Sequence, residues 1–277
     1  MSAGSKPGSA VGSGPSAGVG SGVDNGVGFK VVIPARYAAS RLPGKPLVQI
    51  AGKPLIAHVW ESARASAAAE VVVATDDERV AEVCRGLGAE VEMTGSAHRS
   101  GSDRIAEVVG QRGWNADSIV VNLQGDEPCM PPRLIDQVAA DLAGLDAVGM
   151  ATLAFPITDA ALLFDPHVVK VVTDAHGFAL YFSRAPIPWH RDEFLGKRAH
   201  LPANVPFQRH IGLYAYRVGF LQRYVAWPPA PLELAESLEQ LRVLWHGGRI
   251  HVSTAQEEPG PGVDTPDDVR LVMQRLG

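Results

Sequence analysis

The apolar positions of this chain fall into short blocks whose spacing changes along its length. Residues 29–33, FKVVI, make a β-branched run of the length of a buried strand. Pro34 has no backbone donor and is expected to end it. Residues 55–65 have helical composition, and 71–74, VVVA, make a second buried strand. Thr75, Asp76 and Asp77 then offer an N-cap and an acidic first turn for a helix to about residue 87. A third strand is predicted over 89–93. The polar stretch 98–104 opens into a helix through about residue 111, and a fourth strand covers 118–123. Strands alternating with helices predict an α/β fold: a mostly parallel twisted sheet with helices on both faces and right-handed crossovers.

From about residue 150 the pattern changes. Strands are predicted over 168–173 and 178–182, around a turn-rich 174–177, and 187–207 is irregular. Residues 209–217, RHIGLYAYR, alternate as a strand, and helices are expected near 218–225 and 233–246. The second of these helices would set Glu236 and Gln240, four apart, on one face. A late strand over 250–254 precedes a final helix. Thr265 opens that helix, with Pro266 at its first position and Asp267 and Asp268 in its first turn. Residues 1–28 are mostly Gly, Ser, Ala and Val. They lack aromatics, predict a disordered tail, and have no apolar centre of a secretory signal. The expected organisation is that tail followed by one domain over 29–277, with a first half to residue 150 and a second half from 151.

Composition narrows the function. Hydrophobic content of 46% supports a substantial core, and a net charge of −5 lacks the basic excess of a nucleic-acid binder. No apolar run approaches the ~20 residues needed to cross a bilayer. Cys84 and Cys129 form no CxxC pair, which fits a reducing compartment; the sequence alone leaves one disulfide between them open. The nine histidines make no HExxH motif.

Candidate chemistry sits where strands end. After the first strand comes a loop with Arg36, Ser40, Arg41 and Lys45, broken by Pro43, Gly44 and Pro46. Loops at the carboxyl ends of parallel strands bind ligands, and such cations suit phosphate oxygens. A solvated surface loop is the competing reading. After the fourth strand comes NLQGDEP, with Gln124 and Asp126 at the same sheet edge, where a carboxylate suits Mg²⁺ or simply caps a turn. Asp264, in PGVDTP, either starts the last helix or serves as a second ligand. Thr75, Asp76, Ser100 and Gly101 are small or polar and follow strand ends, where backbone groups can read a base edge. In the second half, Arg184 suits a carboxylate, while His210, Tyr214, Glu236 and Gln240 suit hydroxyls. Core packing or solvation is the competing reading for each of them.

Several segments together resemble the CMP-Kdo synthetases, the 3-deoxy-manno-octulosonate cytidylyltransferases. They are RYAASRLPGKPL with the echo AGKPL, then HRSGSDR, QGDEP, FSR, RHIGLY, the stretch 233–242 and GVDTP. The resemblance spans about residues 29–275 and departs at Ala39, where the family commonly has serine, and at Ser102 and Asp103. It implies a nucleotide-diphospho-sugar transferase-like fold with a smaller mixed lobe for sugar binding and dimerisation. It implies transfer of CMP from CTP to the keto-sugar acid Kdo for lipopolysaccharide biosynthesis, in the cytoplasm, by a homodimer without nucleic-acid or membrane partners. By the same resemblance Arg36 and Lys45 bind the triphosphate, Asp126 and Asp264 hold Mg²⁺, and Gln124 contacts sugar or nucleotide. The alternatives are a cytidylyltransferase for another acidic keto-sugar, 8-amino-Kdo or sialic-acid-like, and a non-catalytic nucleotide-binding regulatory module.

Overall fold

The computed structural model describes residues 1, 28–38, 42–195 and 200–277. The expected tail over 2–27, Ala39, Ser40 and Arg41 lie outside the described residues.

The first half builds strands β1 (Lys30–Ala35), β2 (Gln49–Ile50), β3 (Lys53–Pro54), β4 (Glu70–Thr75), β5 (Glu90–Met93) and β6 (Ile119–Asn122). Between and after them lie helices α1 (Leu55–Arg64), α2 (Glu78–Gly86), α3 (Gly101–Arg112) and α4 (Pro132–Ala143). The second half adds β7 (Met150–Pro156), α5 (Ala160–Phe164), β8 (Lys170–Thr173), β9 (Ala179–Ser183) and β10 (Gln208–Arg217). It ends with α6 (Val218–Ala226), α7 (Pro231–Glu236), α8 (Leu241–Trp245), β11 (His251–Thr254) and α9 (Pro266–Leu276). Among the described residues one nine-stranded sheet runs through both halves in the order β11-β7-β10-β6-β1-β4-β5, with β8 joined to β10 and β9 to β8. The pairs β1–β4, β1–β6, β4–β5 and β7–β11 are parallel, and β10 runs antiparallel between β6 and β7.

Most predicted elements lie within a residue or two of the observed ones, because buried apolar runs and caps set them locally. Asp77 caps α2 by accepting from Arg79 N at 3.0 Å, and Ser100 with Asp103 forms a capping box on α3. Three expectations need correction. Pro34 does not end β1: the strand continues to Ala35 opposite Thr75. Pairing with β6 covers only Lys30–Val32, so the donor Pro34 lacks is not required on that side. The helix expected over 233–246 is two helices, because Ser237 adopts φ 52 and ψ 49 and ends α7. Glu236 and Gln240 therefore share no helix face. Third, β7 and α4 were not anticipated. β7 is a buried central strand whose apolar run carries no period, and α4 starts behind the turn-like pair Pro131-Pro132.

Two apolar layers sandwich the sheet. One joins Val31, Ile33 and Val73 to α1 and α4 through Ile56, Leu134 and Val138. The other joins Val32, Val72 and Val120 to α3 and α6 through Ile105, Val108 and Leu221. From β1 the chain moves outward to β4 and β5, then crosses to β6 on the other side of β1. Such a switch point opens a crevice at the carboxyl ends of its strands, here after Ala35 and Asn122.

Candidate active site

The crevice holds a cavity of about 510 Å³ whose lining includes Arg36, Lys45, Ser100, Gly101, Gln124 and Asp126. Arg36 follows β1 directly. Lys45 is presented by a short 3₁₀ turn over Lys45–Leu47 that begins after Gly44 at φ 70, a left-handed conformation that glycine takes without strain. Gly125 lets the β6 loop pass close to β1, since a Cβ there would lie 2.7 Å from Pro34 O. The start of α3 at Ser100 and Gly101 brings the positive end of a twelve-residue helix to the same wall.

Lys45 ties three segments together. Its Nζ lies 2.6 Å from Asp126 Oδ2 and 3.0 Å from Asp264 Oδ1, and donates to Val263 O at 3.1 Å. Burial alone would lower the lysine pKa, yet Asp126 and Asp264 together raise it above its ordinary value, so it stays charged. Thr265 caps α9 in a box with Asp268, so helix capping at this end is carried by those two residues and Asp264 reaches the cavity. The ammonium is thus a cation already seated between two carboxylates that are 138 residues apart in the chain (264 − 126). Two carboxylates opening on a cavity fit Mg²⁺, which takes one or two protein carboxylates and fills its shell with phosphate oxygens and water. Among the described residues no third His, Cys, Asp or Glu completes a metal-ligating group with them. Behind Asp126, a second cavity of about 570 Å³ is lined by Glu127, His167 and Asp264. Glu127 keeps some exposed surface, but burial, then the charges of Asp126 and Asp264, push its pKa up to about 8.

A third cavity, about 190 Å³, is lined by Ser102, Gln124, Tyr214, Tyr224, Glu239 and Gln240 among others. Gln124 and Glu239 line both this cavity and the 510 Å³ one. Gln124 Nε2 donates to Asn122 Oδ1 at 3.2 Å, and Ser102 Oγ donates to Glu239 Oε2 at 3.2 Å. Burial raises the pKa of Glu239. Glu239 was missed in the sequence because helical spacing favoured Glu236 with Gln240; the break at Ser237 makes Glu239 the neighbour that counts.

Thr75, Asp76, Arg184, His210 and Glu236 lie outside the lining of these cavities. Thr75 is fully buried, and its carbonyl accepts from Thr94 N at 2.9 Å. Asp76 Oδ2 sits 3.4 Å from Arg104 Nη2. Asp76 Oδ1 and Arg104 Nε and Nη2 are buried and have no hydrogen-bond partner among the described residues. Arg184 donates to Glu236 O at 2.7 Å and to Pro166 O at 3.1 Å. The Glu236 carboxylate accepts from Ser183 Oγ at 2.6 Å and Arg184 N at 2.9 Å. His210 packs edge-on against Phe182 and beside Tyr214. Ser40 lies outside the described residues. Cys84 and Cys129 are free thiols, which closes the disulfide alternative.

Comparison with known proteins identifies the family. Residues 30–250 match the model of a family described as Cytidylyltransferase. The chain is 60% identical over 248 residues to a 3-deoxy-manno-octulosonate cytidylyltransferase of Pseudomonas fluorescens, covering 90% of this chain and 98% of that one. It is likewise 60% identical over 248 residues to the protein of that name from Pseudomonas syringae pv. tomato, with the same coverage. Among solved structures it is similar to a CMP:2-keto-3-deoxy-manno-octonic acid synthetase complexed with CTP. The TM-score is 0.82 at 42% identity, over 90% of this chain and 98% of that one. A 4-diphosphocytidyl-2C-methyl-D-erythritol synthase shares the fold at 17% identity, with a TM-score of 0.58 over 90% of this chain and 98% of that one.

Proposed function

The chain belongs to the cytidylyltransferase family, in its 3-deoxy-manno-octulosonate branch, and on that premise we propose that it transfers CMP from CTP to Kdo. The product CMP-Kdo feeds lipopolysaccharide biosynthesis. The observation that carries the reading is the pair Gln124 and Glu239, which lines both the cationic cavity and the cavity floored by Tyr214 and Gln240. A triphosphate in the first and a polyhydroxy acid in the second meet at that shared wall.

The anomeric oxygen of the sugar bonds to the α-phosphorus. The bridging bond to the β-phosphate breaks, pyrophosphate leaves with the electron pair, and the hydroxyl proton is released. Negative charge accumulates on the phosphate oxygens, which is where preorganised cations contribute most. Arg36 and Lys45 meet that charge, and the amino end of α3 adds its dipole. Asp126 and Asp264 would hold Mg²⁺, which when bound would supply further positive charge to the phosphates. Asp76 and Arg104, with Thr75, Ser100 and Gly101, serve the base: unspent guanidinium donors and a carboxylate acceptor match the acceptor and donor edge of cytosine. Tyr214, Glu239 and Gln240 take the sugar hydroxyls, with His210 beside Tyr214. Arg184 and Glu236 are engaged with each other and with Ser183, and hold the wall of the sugar side.

No helix among the described residues is long and apolar enough to cross a membrane. A reaction that consumes CTP belongs in the cytoplasm, and the second half carries the surface for a homodimer. Pyrophosphate release with CTP is the test, across Kdo, 8-amino-Kdo and a sialic acid. Turnover with Kdo at the highest kcat/KM is expected. Preference for another acid would reassign the acceptor, and no release with any would leave a nucleotide-binding regulatory module.

A further inference from the structure

Strand β10 is interrupted where it passes β7. Ile211 faces Leu153 and Tyr214 faces Thr152, so Gly212 and Leu213 have no counterparts on β7. Two extra residues preserve the alternation of faces: Leu213 stays in the core, while Gly212, which is exposed, and Tyr214, which is half-buried, line the 190 Å³ cavity. Across the bulge the rings of His210 and Tyr214 lie side by side, with their centroids 5.3 Å apart.

A bulge takes carbonyls off the ladder, and buried carbonyls need another donor. Thr152 stands there, fully buried on β7. Its Oγ1 is 3.0 Å from Ile211 O and 2.8 Å from Leu213 O. The same oxygen is 3.0 Å from His210 Nε2. A threonine hydroxyl carries one proton and two lone pairs. Both carbonyls only accept, so the proton is committed to them and the oxygen faces the imidazole as an acceptor. The shared hydrogen bond then requires the proton on Nε2. In a neutral ring Nδ1 is consequently left as an acceptor. The ring is kept neutral by packing that pushes its pKa down to about 3.

We propose that Thr152 is a positioning residue for the acceptor sugar: its single hydroxyl clamps the β10 bulge that sets Tyr214 at the cavity and fixes His210, the ring beside Tyr214, as the Nε2–H tautomer. This rests on reading the 190 Å³ cavity and its rim as the sugar site. Thr152 itself touches no substrate. Valine would keep its shape and remove the clamp; serine would keep the hydroxyl.

The experiment pairs kinetics with a spectrum. Imidazole ¹⁵N NMR of the full chain, with His210 assigned through His210→Asn, reads the tautomer at neutral pH. Pyrophosphate release by Thr152→Val and Thr152→Ser, with CTP and Kdo varied separately, reads the site. The expected result is a neutral Nε2–H ring in the wild type. Thr152→Val should raise KM for Kdo about tenfold, leave KM for CTP within about twofold, and mix the tautomers, with Thr152→Ser restoring both readouts. A wild-type His210 found as Nδ1–H or as imidazolium overturns the clamp, even if the valine variant fails to fold. Equal rises in both KM values, or none, overturn the positioning role. Should the wild type prefer another sugar acid, the acceptor assignment fails while the tautomer and the variants measured with that acid still decide the clamp.

Discussion

Lys45 sits under two opposing influences. Burial of its side chain, which is 15% exposed, penalises the charge, and the carboxylates of Asp126 and Asp264 more than offset that penalty. A cation so held can follow negative charge as it moves onto a phosphate. Lys45→Ala and Arg36→Ala are expected each to lose about 2–4 kcal/mol of transition-state stabilisation, read as kcat/KM for CTP. Wild-type kinetics in both would make the cavity a bystander. Asp126→Asn and Asp264→Asn should each keep the fold and lose most turnover, and the double variant should lose far less than the product of the two. The Mg²⁺-dependent rise in Tm should vanish in either single variant; a full rise in both would place the metal elsewhere. At this scale the sequence was informative after β1 and β6, where Arg36, Gln124 and Asp126 reach the cavity. It was silent on side chains whose partners lie far off in the chain. Arg184 has the right charge for a carboxylate, and only the fold reveals that its donors meet Glu236 O and Pro166 O.

Among elements, the informative places are those where a regular pattern breaks. Ser237 turns the chain between α7 and α8 in a left-handed conformation that costs a side-chain-bearing residue about 1 kcal/mol. Ser237→Gly should therefore raise stability by up to about 1 kcal/mol, measured by urea unfolding. A loss of stability would mean that the serine side chain contributes more than its backbone strain removes. The β10 bulge makes a pH prediction. Although His210 keeps some exposed surface, burial lowers its pKa to about 3, below the unfolded value near 6.5. The unfolded chain then binds the extra proton first. The stabilising difference is full above about pH 6.5 and is lost as pH falls towards 3. Between pH 7 and 5 the wild type should lose more Tm than His210→Asn, which has no such proton to bind; equal losses would put the ring in water. Neither break was legible from spacing. A bulge and a left-handed serine are imposed by strands and helices that the local pattern does not name, whereas the caps of α2 and α9 are encoded within four residues and were read directly.

Across the whole molecule, one sheet carries both halves, so the predicted division near residue 150 marks a change of pattern along the chain within a continuous sheet. The α/β class and its ligand edge were legible because alternating strands and helices leave few arrangements. The place of β10, antiparallel between β6 and β7, was not, because strand order is a property of pairing between distant segments. The surface is as uneven as the topology. Apart from Met1 and Met93, every exposed large apolar side chain among the described residues lies after residue 150, including Leu180 on β9, Trp189, Leu195, Leu234 on α7 and Trp245 on α8. Leu234 and Leu180 are 69% and 62% exposed, and β9 is an edge strand paired in its ladder only with β8. Apolar side chains exposed mainly on one half of the chain are the kind of surface that a second copy covers. The homodimer inferred for this family should therefore close through the second half. Light scattering of the purified chain is expected to give twice the chain mass of 29.4 kDa. Leu180→Glu with Leu234→Glu should shift it towards that single mass, because each buries a charge without a partner in the interface. CTP binding, built by the first half and α9, should survive in the double variant. A wild-type monomer would remove the homodimer, and a double variant that stays dimeric would move the interface away from β9 and α7.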